Sequence, residues 1–110
     1  MWNGKKDLLS MNDLSRNEIE SILEYARRLE PHSGKGSKFD MCKGEILITA
    51  FFEPSTRTRI SFETAIHTLG GDVQSFSETG SSMEKGETKE DTVRTLEQYC
   101  DALVIRDGGP

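Results

Sequence analysis

The apolar run Ile46-Leu47-Ile48-Thr49-Ala50-Phe51-Phe52 stops abruptly at Glu53-Pro54, and Ser55-Thr56-Arg57-Thr58-Arg59-Ile60-Ser61-Phe62-Glu63 follows. No other stretch constrains the fold as tightly. A nearly unbroken apolar run is what a strand covered on both faces needs, and such strands belong to parallel sheets. The residues after Pro54 open a helix near Ser55 or Thr56. The first N–H groups of a helix have no intrahelical partner, and the helix dipole adds partial positive charge at the same place. Three hydroxyls and two guanidiniums crowd this turn, which makes it an anion site with phosphate as its usual guest. The plainer alternative is a capped helix start with a local salt bridge to Glu53 or Glu63. Against it, arginines in a first helical turn oppose the dipole and need an anion or carboxylate to answer them.

The rest of the chain supplies the frame. Ser15-Arg16-Asn17-Glu18 is a capping box, and Ile19, Ile22, Leu23, Ala26 and Leu29 then recur at helical spacing until Pro31. Residues 32–38, rich in Gly, Ser and Lys, form a loop. The first strand spans about Glu45 to Phe52. A helix follows with an apolar stripe of Phe62, Ala65, Ile66 and Leu69, and Gly70-Gly71 ends it. A second strand covers about Asp72 to Ser77, and a polar loop runs from Glu78 to Glu87. The helix opened by Thr88-Lys89-Glu90-Asp91 turns Val93, Leu96 and Tyr99 or Cys100 inward. A third strand covers Ala102 to Arg106. This order predicts an α/β fold, a parallel sheet flanked by helices. Ligands in such sheets bind beyond the carboxyl ends of the strands. Both Ser55–Arg59 and Arg106 fall there.

Composition narrows the classes. With 14 basic and 19 acidic residues the formal net charge is −5, so neither nucleic acid nor an anionic membrane is an electrostatic partner. No window approaches the roughly 18 consecutive apolar residues of a membrane span, and the first residues lack a signal-peptide core. Cys42 and Cys100 read as reduced cytoplasmic thiols rather than a disulfide framework. His32 and His67 lack metal-ligand spacing, so neither metal nor cofactor is expected. His67 reads as a partly exposed helix residue.

Glu53-Pro-Ser-Thr-Arg-Thr-Arg-Ile-Ser-Phe-Glu63 resembles the carbamoyl-phosphate signature of the transcarbamoylases. Thr64-Ala-Ile-His-Thr-Leu-Gly-Gly71 and Gly80-Ser-Ser-Met-Glu-Lys-Gly-Glu-Thr88 resemble the aspartate branch, and the likeness runs from about Leu8 to Arg106. The ornithine branch shares Ser-Thr-Arg-Thr-Arg but usually carries Lys at or beside Pro54 and a different later loop. The resemblance implies the amino-terminal, carbamoyl-phosphate-binding domain of an aspartate carbamoyltransferase catalytic chain, present in part over residues 1–110, with the aspartate-binding domain outside them.

It also implies roles. Ser55, Thr56 and Arg57 hold the phosphate, Thr58 and Arg106 reach the carbonyl oxygen, and Arg57 and Lys85 stabilise the leaving phosphate. Ser81 and Lys85 serve a neighbouring active site in a homotrimer. Glu53 matches an acidic residue that helps hold the two domains closed, whereas Arg59 reads as half of a structural ion pair with Glu63 or another carboxylate. Two positions depart from the family pattern. Asp107 stands where relatives often have His, and would weaken the anion site if it pointed inward. Glu84 stands where a second lysine or a neutral residue is common. The expected activity is pyrimidine-pathway transfer of a carbamoyl group to L-aspartate, although the 110 residues alone should be inactive. The alternatives are ornithine as acceptor, or a non-catalytic anion-binding or assembly module.

Overall fold

The computed structural model describes residues 7–77 and 86–108. The chain divides into two compact units, residues 1–33 and 34–110. The first is built around helix α1, Arg16–Leu29. Ser15 Oγ accepts the Glu18 N–H at 3.1 Å, and the Glu18 carboxylate accepts the Ser15 N–H at 2.8 Å. This is the reciprocal capping that Ser-x-x-Glu predicts. Pro31 lies in a short 3-10 turn, Glu30–His32, directly after α1. A proline has no N–H to continue the helical ladder.

The second unit holds β1 (Ile46–Phe51), α2 (Thr56–Thr68), β2 (Asp72–Phe76), α3 (Lys89–Glu97) and β3 (Ala102–Arg106). The strands form one parallel sheet in the order β2-β1-β3. The central strand is the most buried, with Leu47, Ile48, Thr49 and Ala50 all inside, as its apolar run predicts. Strands β1 and β2 end slightly short of the sequence boundaries, while β3 matches its prediction. In register, Thr49 lies opposite Ser75 on one side and Val104 on the other, and Phe51 lies opposite Arg106.

The topology fixes where a ligand could sit. From β1 the chain crosses through α2 to β2 on one side. It then returns through α3, past β1, to β3 on the other side. Right-handed crossovers in opposite directions put the two helices on opposite faces. The crevice opens between β1 and β3, where the strand order reverses.

Helix α2 departs from the expected stripe. Ile66 and Leu69 are partly buried, but Ala65 is exposed and Phe62 keeps 42% of its surface. The face toward the strands is polar at its start: the side chains of Arg59 and Glu63 are only 34% and 14% exposed. Hydroxyls on β1 and β2 explain this, because they hold the Glu63 carboxylate and rotate Phe62 outward. The far end is closed by the preceding loop. Lys38 and Phe39 N–H both donate to the Thr68 carbonyl, at 2.9 and 3.0 Å, and Cys42 N–H donates to the Leu69 carbonyl. At Gly70, φ is +90° and an added Cβ would strike the Phe39 carbonyl, so only glycine fits this helix end. In α3 the buried side chain is Thr92, whose hydroxyl donates to Glu87 at 2.6 Å. Tyr99 is outward and Cys100 is the partly buried residue of that pair. No helix among the described residues is long and apolar enough to cross a membrane.

Candidate functional site

The carboxyl ends of β1 and β3 bring together residues about fifty positions apart. Arg106 is the last residue of β3, and its backbone carbonyl accepts the Phe52 N–H at 2.8 Å, which ties the two strand ends together. Its guanidinium spreads over the start of α2. Nη1 donates to Ser55 Oγ at 2.8 Å and to Thr58 Oγ1 at 3.2 Å, while Nε donates to Glu53 Oε1 at 2.9 Å. Ser55, Thr58 and Arg106 thus converge as the sequence predicts. Glu53 has a partner here that the sequence did not disclose. Gly108 makes room for it, since a Cβ there would collide with the Glu53 carboxylate.

Ser55 occupies the N-cap position of α2 without capping it. The first turn has no acidic residue, so its N–H groups and dipole are uncompensated within the helix. Thr56 and Arg57 are exposed on this turn. The Arg57 guanidinium has no hydrogen-bond or ion-pair partner among the described residues.

Charge bookkeeping at this edge isolates Arg57. Arg59 pairs with Glu63, Arg106 with Glu53, and Lys89 with Asp107. Among the described residues at this edge, Arg57 is the arginine without an ion-pair partner. Arg59 therefore takes the structural partner expected for it. Asp107 is held by Lys89 Nζ at 2.8 Å, and Lys89 also lies 5.5 Å from the centre of the Phe52 ring. Alternate residues leaving a strand face opposite sides, so Asp107 and Arg106 are directed apart. The charge of Asp107 is answered by Lys89 rather than left open. Ser81, Glu84 and Lys85 lie outside the described residues.

Other chemistry-bearing groups are elsewhere. His67 is exposed on α2. It lines an open cavity of about 700 Å3 with the Gly34–Ser37 loop and Asp72, at the opposite edge of the sheet from the strand ends. Burial pushes the Cys100 thiol above its usual pKa, and Asp101 and Glu97 push it further. A thiol so raised is a poor nucleophile at neutral pH. Among the described residues no group of three or more His, Cys, Asp or Glu could hold a metal ion.

The arrangement offers an anion two guanidiniums, three hydroxyls and an open helix start. The aspartate/ornithine carbamoyltransferase carbamoyl-phosphate-binding domain family matches residues 6–110. The aspartate carbamoyltransferase catalytic subunit of Thermococcus gammatolerans is 51% identical over 106 residues, which is 96% of this chain and 34% of that protein. The corresponding subunit of Pyrobaculum arsenaticum is 50% identical over the same shares. Among solved structures, the catalytic subunit of M. jannaschii aspartate transcarbamoylase superposes with a TM-score of 0.83 at 42% identity, covering 96% of this chain and 35% of that one. Aspartate transcarbamoylase from Trypanosoma cruzi, solved with carbamoyl phosphate, gives 0.83 at 39% identity, covering 92% and 33%. The chain spans about a third of the length of the curated relatives it matches. By its sequence over almost all of its length, and by its fold, the chain belongs to the carbamoyl-phosphate-binding domain family of the aspartate and ornithine carbamoyltransferases.

Proposed function

We propose that residues 1–110 form part of the carbamoyl-phosphate-binding domain of an aspartate carbamoyltransferase. The enzyme would transfer the carbamoyl group of carbamoyl phosphate to the amino group of L-aspartate, giving N-carbamoyl-L-aspartate and phosphate in pyrimidine biosynthesis. The convergence of Arg106 from β3 with Ser55 and Thr58 at the start of α2, beside the unanswered Arg57, carries this reading. A phosphate dianion needs donors from several directions, and a guanidinium fork suits its oxygens. Ser55, Thr56 and Arg57 would hold the phosphate. Thr58 and Arg106 would polarise the carbonyl oxygen as the amine attacks. Arg57 would then stabilise the departing phosphate together with Lys85. Such catalysis is positioning plus electrostatic stabilisation and needs no covalent enzyme intermediate.

Aspartate would be bound by residues outside this chain, and the protein would work in the cytoplasm. Calorimetric titration of the full-length protein with carbamoyl phosphate tests the reading. Arg57→Ala should weaken binding by about 1.5 kcal/mol or more, the scale of a charged hydrogen bond. Unchanged affinity removes Arg57 from the site. A polypeptide of the 110 residues alone should form no carbamoyl aspartate above the uncatalysed rate.

The active assembly would be a homotrimer in which Ser81 and Lys85 complete a neighbour's site. Closed rings of this kind use heterologous contacts. Full-length Lys85→Ala and Arg57→Ala subunits, each inactive, should regain part of the activity when mixed. Some interfaces then pair an intact Arg57 with a neighbour's intact Lys85. No recovery after demonstrated subunit exchange would mean that Lys85 serves its own subunit or none.

A further inference from the structure

The polar face of α2 does more than hold the helix down. Glu63 is two turns beyond Ser55, and its carboxylate is the hub of three groups from three elements. Oε2 accepts the Thr49 hydroxyl of β1 at 2.8 Å and the Ser75 hydroxyl of β2 at 2.5 Å. Both carboxylate oxygens accept Arg59 Nη1, at 3.2 Å each. The same Arg59 nitrogen lies 3.4 Å from Ser75 Oγ. Thr49 and Ser75 are register partners across the β1–β2 ladder, so one carboxylate bridges a matched pair of strand positions. Thr49 is fully buried in the middle of an otherwise apolar strand. A buried hydroxyl there without a partner would be costly. Burial alone raises the Glu63 pKa, but the hydrogen bonds from Ser75, Thr49 and Arg59, with the charge of Arg59, outweigh it and hold the carboxyl below its usual value.

Apolar contact is non-directional, and a helix seated only by it tolerates small slides and rotations. A carboxylate with donors on two strands fixes both the rotation of α2 and its position along the sheet. Arg59 immediately follows Thr58, and its side chain is drawn to Glu63 rather than toward the open helix start. Ser55 and Thr58 meet the Arg106 guanidinium at the other end of the same rigid helix.

We infer that Arg59 and Glu63, with Thr49 and Ser75, are positioning residues of the anion site, a polar clamp that sets the register of α2 so that Ser55 and Thr58 face Arg106. The ligand part of this inference rests on the proposed phosphate-donor site; the geometric part stands without it. The clamp residues touch no ligand. They act through where they place the first turn.

Isosteric changes in the full-length protein test this. Glu63→Gln keeps the size of the side chain but turns an amide N–H toward Arg59. Thr49→Val keeps the volume and removes the hydroxyl, whereas Thr49→Ser keeps the hydroxyl and loses a methyl. Thr92→Val in α3 breaks a buried hydroxyl–carboxylate bond outside the clamp, and serves as the control for a stability loss without a change to the seat of α2. The first readout is the ligand-free crystal structure of Glu63→Gln. The inference expects Ser55 or Thr58 to leave hydrogen-bond distance of Arg106, and unchanged contacts overturn it whether or not a phosphate compound binds. The second readout is calorimetry with carbamoyl phosphate, with inorganic phosphate as the simpler probe. Glu63→Gln and Thr49→Val should each weaken binding about tenfold, as expected for loss of a charged hydrogen bond. Thr49→Ser should stay near the wild type, and Thr92→Val should change affinity little at a comparable loss of thermal midpoint. If Thr49→Val binds as tightly as Thr49→Ser, or if Thr92→Val weakens binding equally, the cluster only stabilises the fold and the inference fails. If the wild type binds neither probe, the proposed function fails, and the crystal structure still decides the clamp.

Discussion

Helix α3 begins with a threonine that caps it, and helix α2 begins with a serine that does not. Thr88 Oγ1 accepts the Asp91 N–H at 3.1 Å, and Glu90 and Asp91 place negative charge in the first turn. Helix α1 follows the same rule with Ser15 and Glu18. At α2 the Ser55 hydroxyl accepts from Arg106 instead, and the turn carries Arg57 with no carboxylate of its own. Among the three α-helix starts of the described residues, two therefore satisfy donors locally, at a gain of about 1 kcal/mol for a cap. The third forgoes that gain. Donors left open beside two guanidiniums stay available to a group that the chain itself does not provide.

The largest expected effect comes from breaking this difference at its source. Arg106→Ala removes the guanidinium that draws Ser55 away from α2. Donor binding should fall by about 100-fold, the equivalent of one or two charged hydrogen bonds. Calorimetry with carbamoyl phosphate on the full-length protein measures it. A loss of only about twofold would make Arg106 a partner of Glu53 and nothing more.

A smaller effect should follow from making α2 start as α1 does. Thr58→Glu turns Ser55-Thr56-Arg57-Thr58 into the Ser-x-x-Glu pattern of Ser15–Glu18. A glutamate at the third helical position can accept the Ser55 N–H and complement the dipole. Donor affinity should drop by about tenfold through charge repulsion and loss of the hydroxyl, while unfolding free energy rises by about 0.5–1 kcal/mol. Denaturant unfolding read beside a ligand titration gives both numbers. Stability and binding moving down together would show a helix start under no such trade.

Glu63 offers the opposite case, a carboxylate whose acceptors are filled. Its folded pKa lies below the ordinary value of 4.5. The stability it contributes is therefore complete above that value and is lost as pH falls through the lower, folded pKa. The acid unfolding curve of Glu63→Gln should lack this component and run flatter than the wild type below pH 4.5. Parallel curves would mean that Glu63 titrates alike in the folded and unfolded chain.

Much of this was legible in the sequence because it is local. The buried strand, the Ser15 and Thr88 caps and the end of β3 at Arg106 each follow from neighbouring residues. The Arg59–Glu63 pair is also local, one helical turn apart. The partners of Glu63 on the strands were not legible, because Thr49 and Ser75 meet only once the β1–β2 register is set. One signal was present: a threonine inside an apolar strand must find a partner. The outward turn of Phe62 follows from that missed network, since apolar spacing alone assigns the inward face to Phe62 and Ala65. The Glu53–Arg106 pair was hidden for the same reason, as it joins residues on two different strand ends.

The smallest expected effect is also the most direct test of the two helix starts. Thr88→Ala should cost about 1 kcal/mol of unfolding free energy, the usual value of a lost cap. Ser55→Ala should cost only about a few tenths, because no backbone N–H of α2 depends on that hydroxyl. Ligand binding should respond in reverse. Ser55→Ala removes an oxygen that orients Arg106, so it should weaken carbamoyl phosphate binding by about threefold to tenfold, the range for one hydrogen bond. Thr88→Ala should leave binding near the wild type, because α3 is anchored to β3 and its capping threonine faces its own helix. Urea denaturation and calorimetry on the same two full-length variants give all four values. Equal stability losses would mean that Ser55 caps α2 in solution, and the open helix start would then require the anion to displace a cap rather than to find donors waiting.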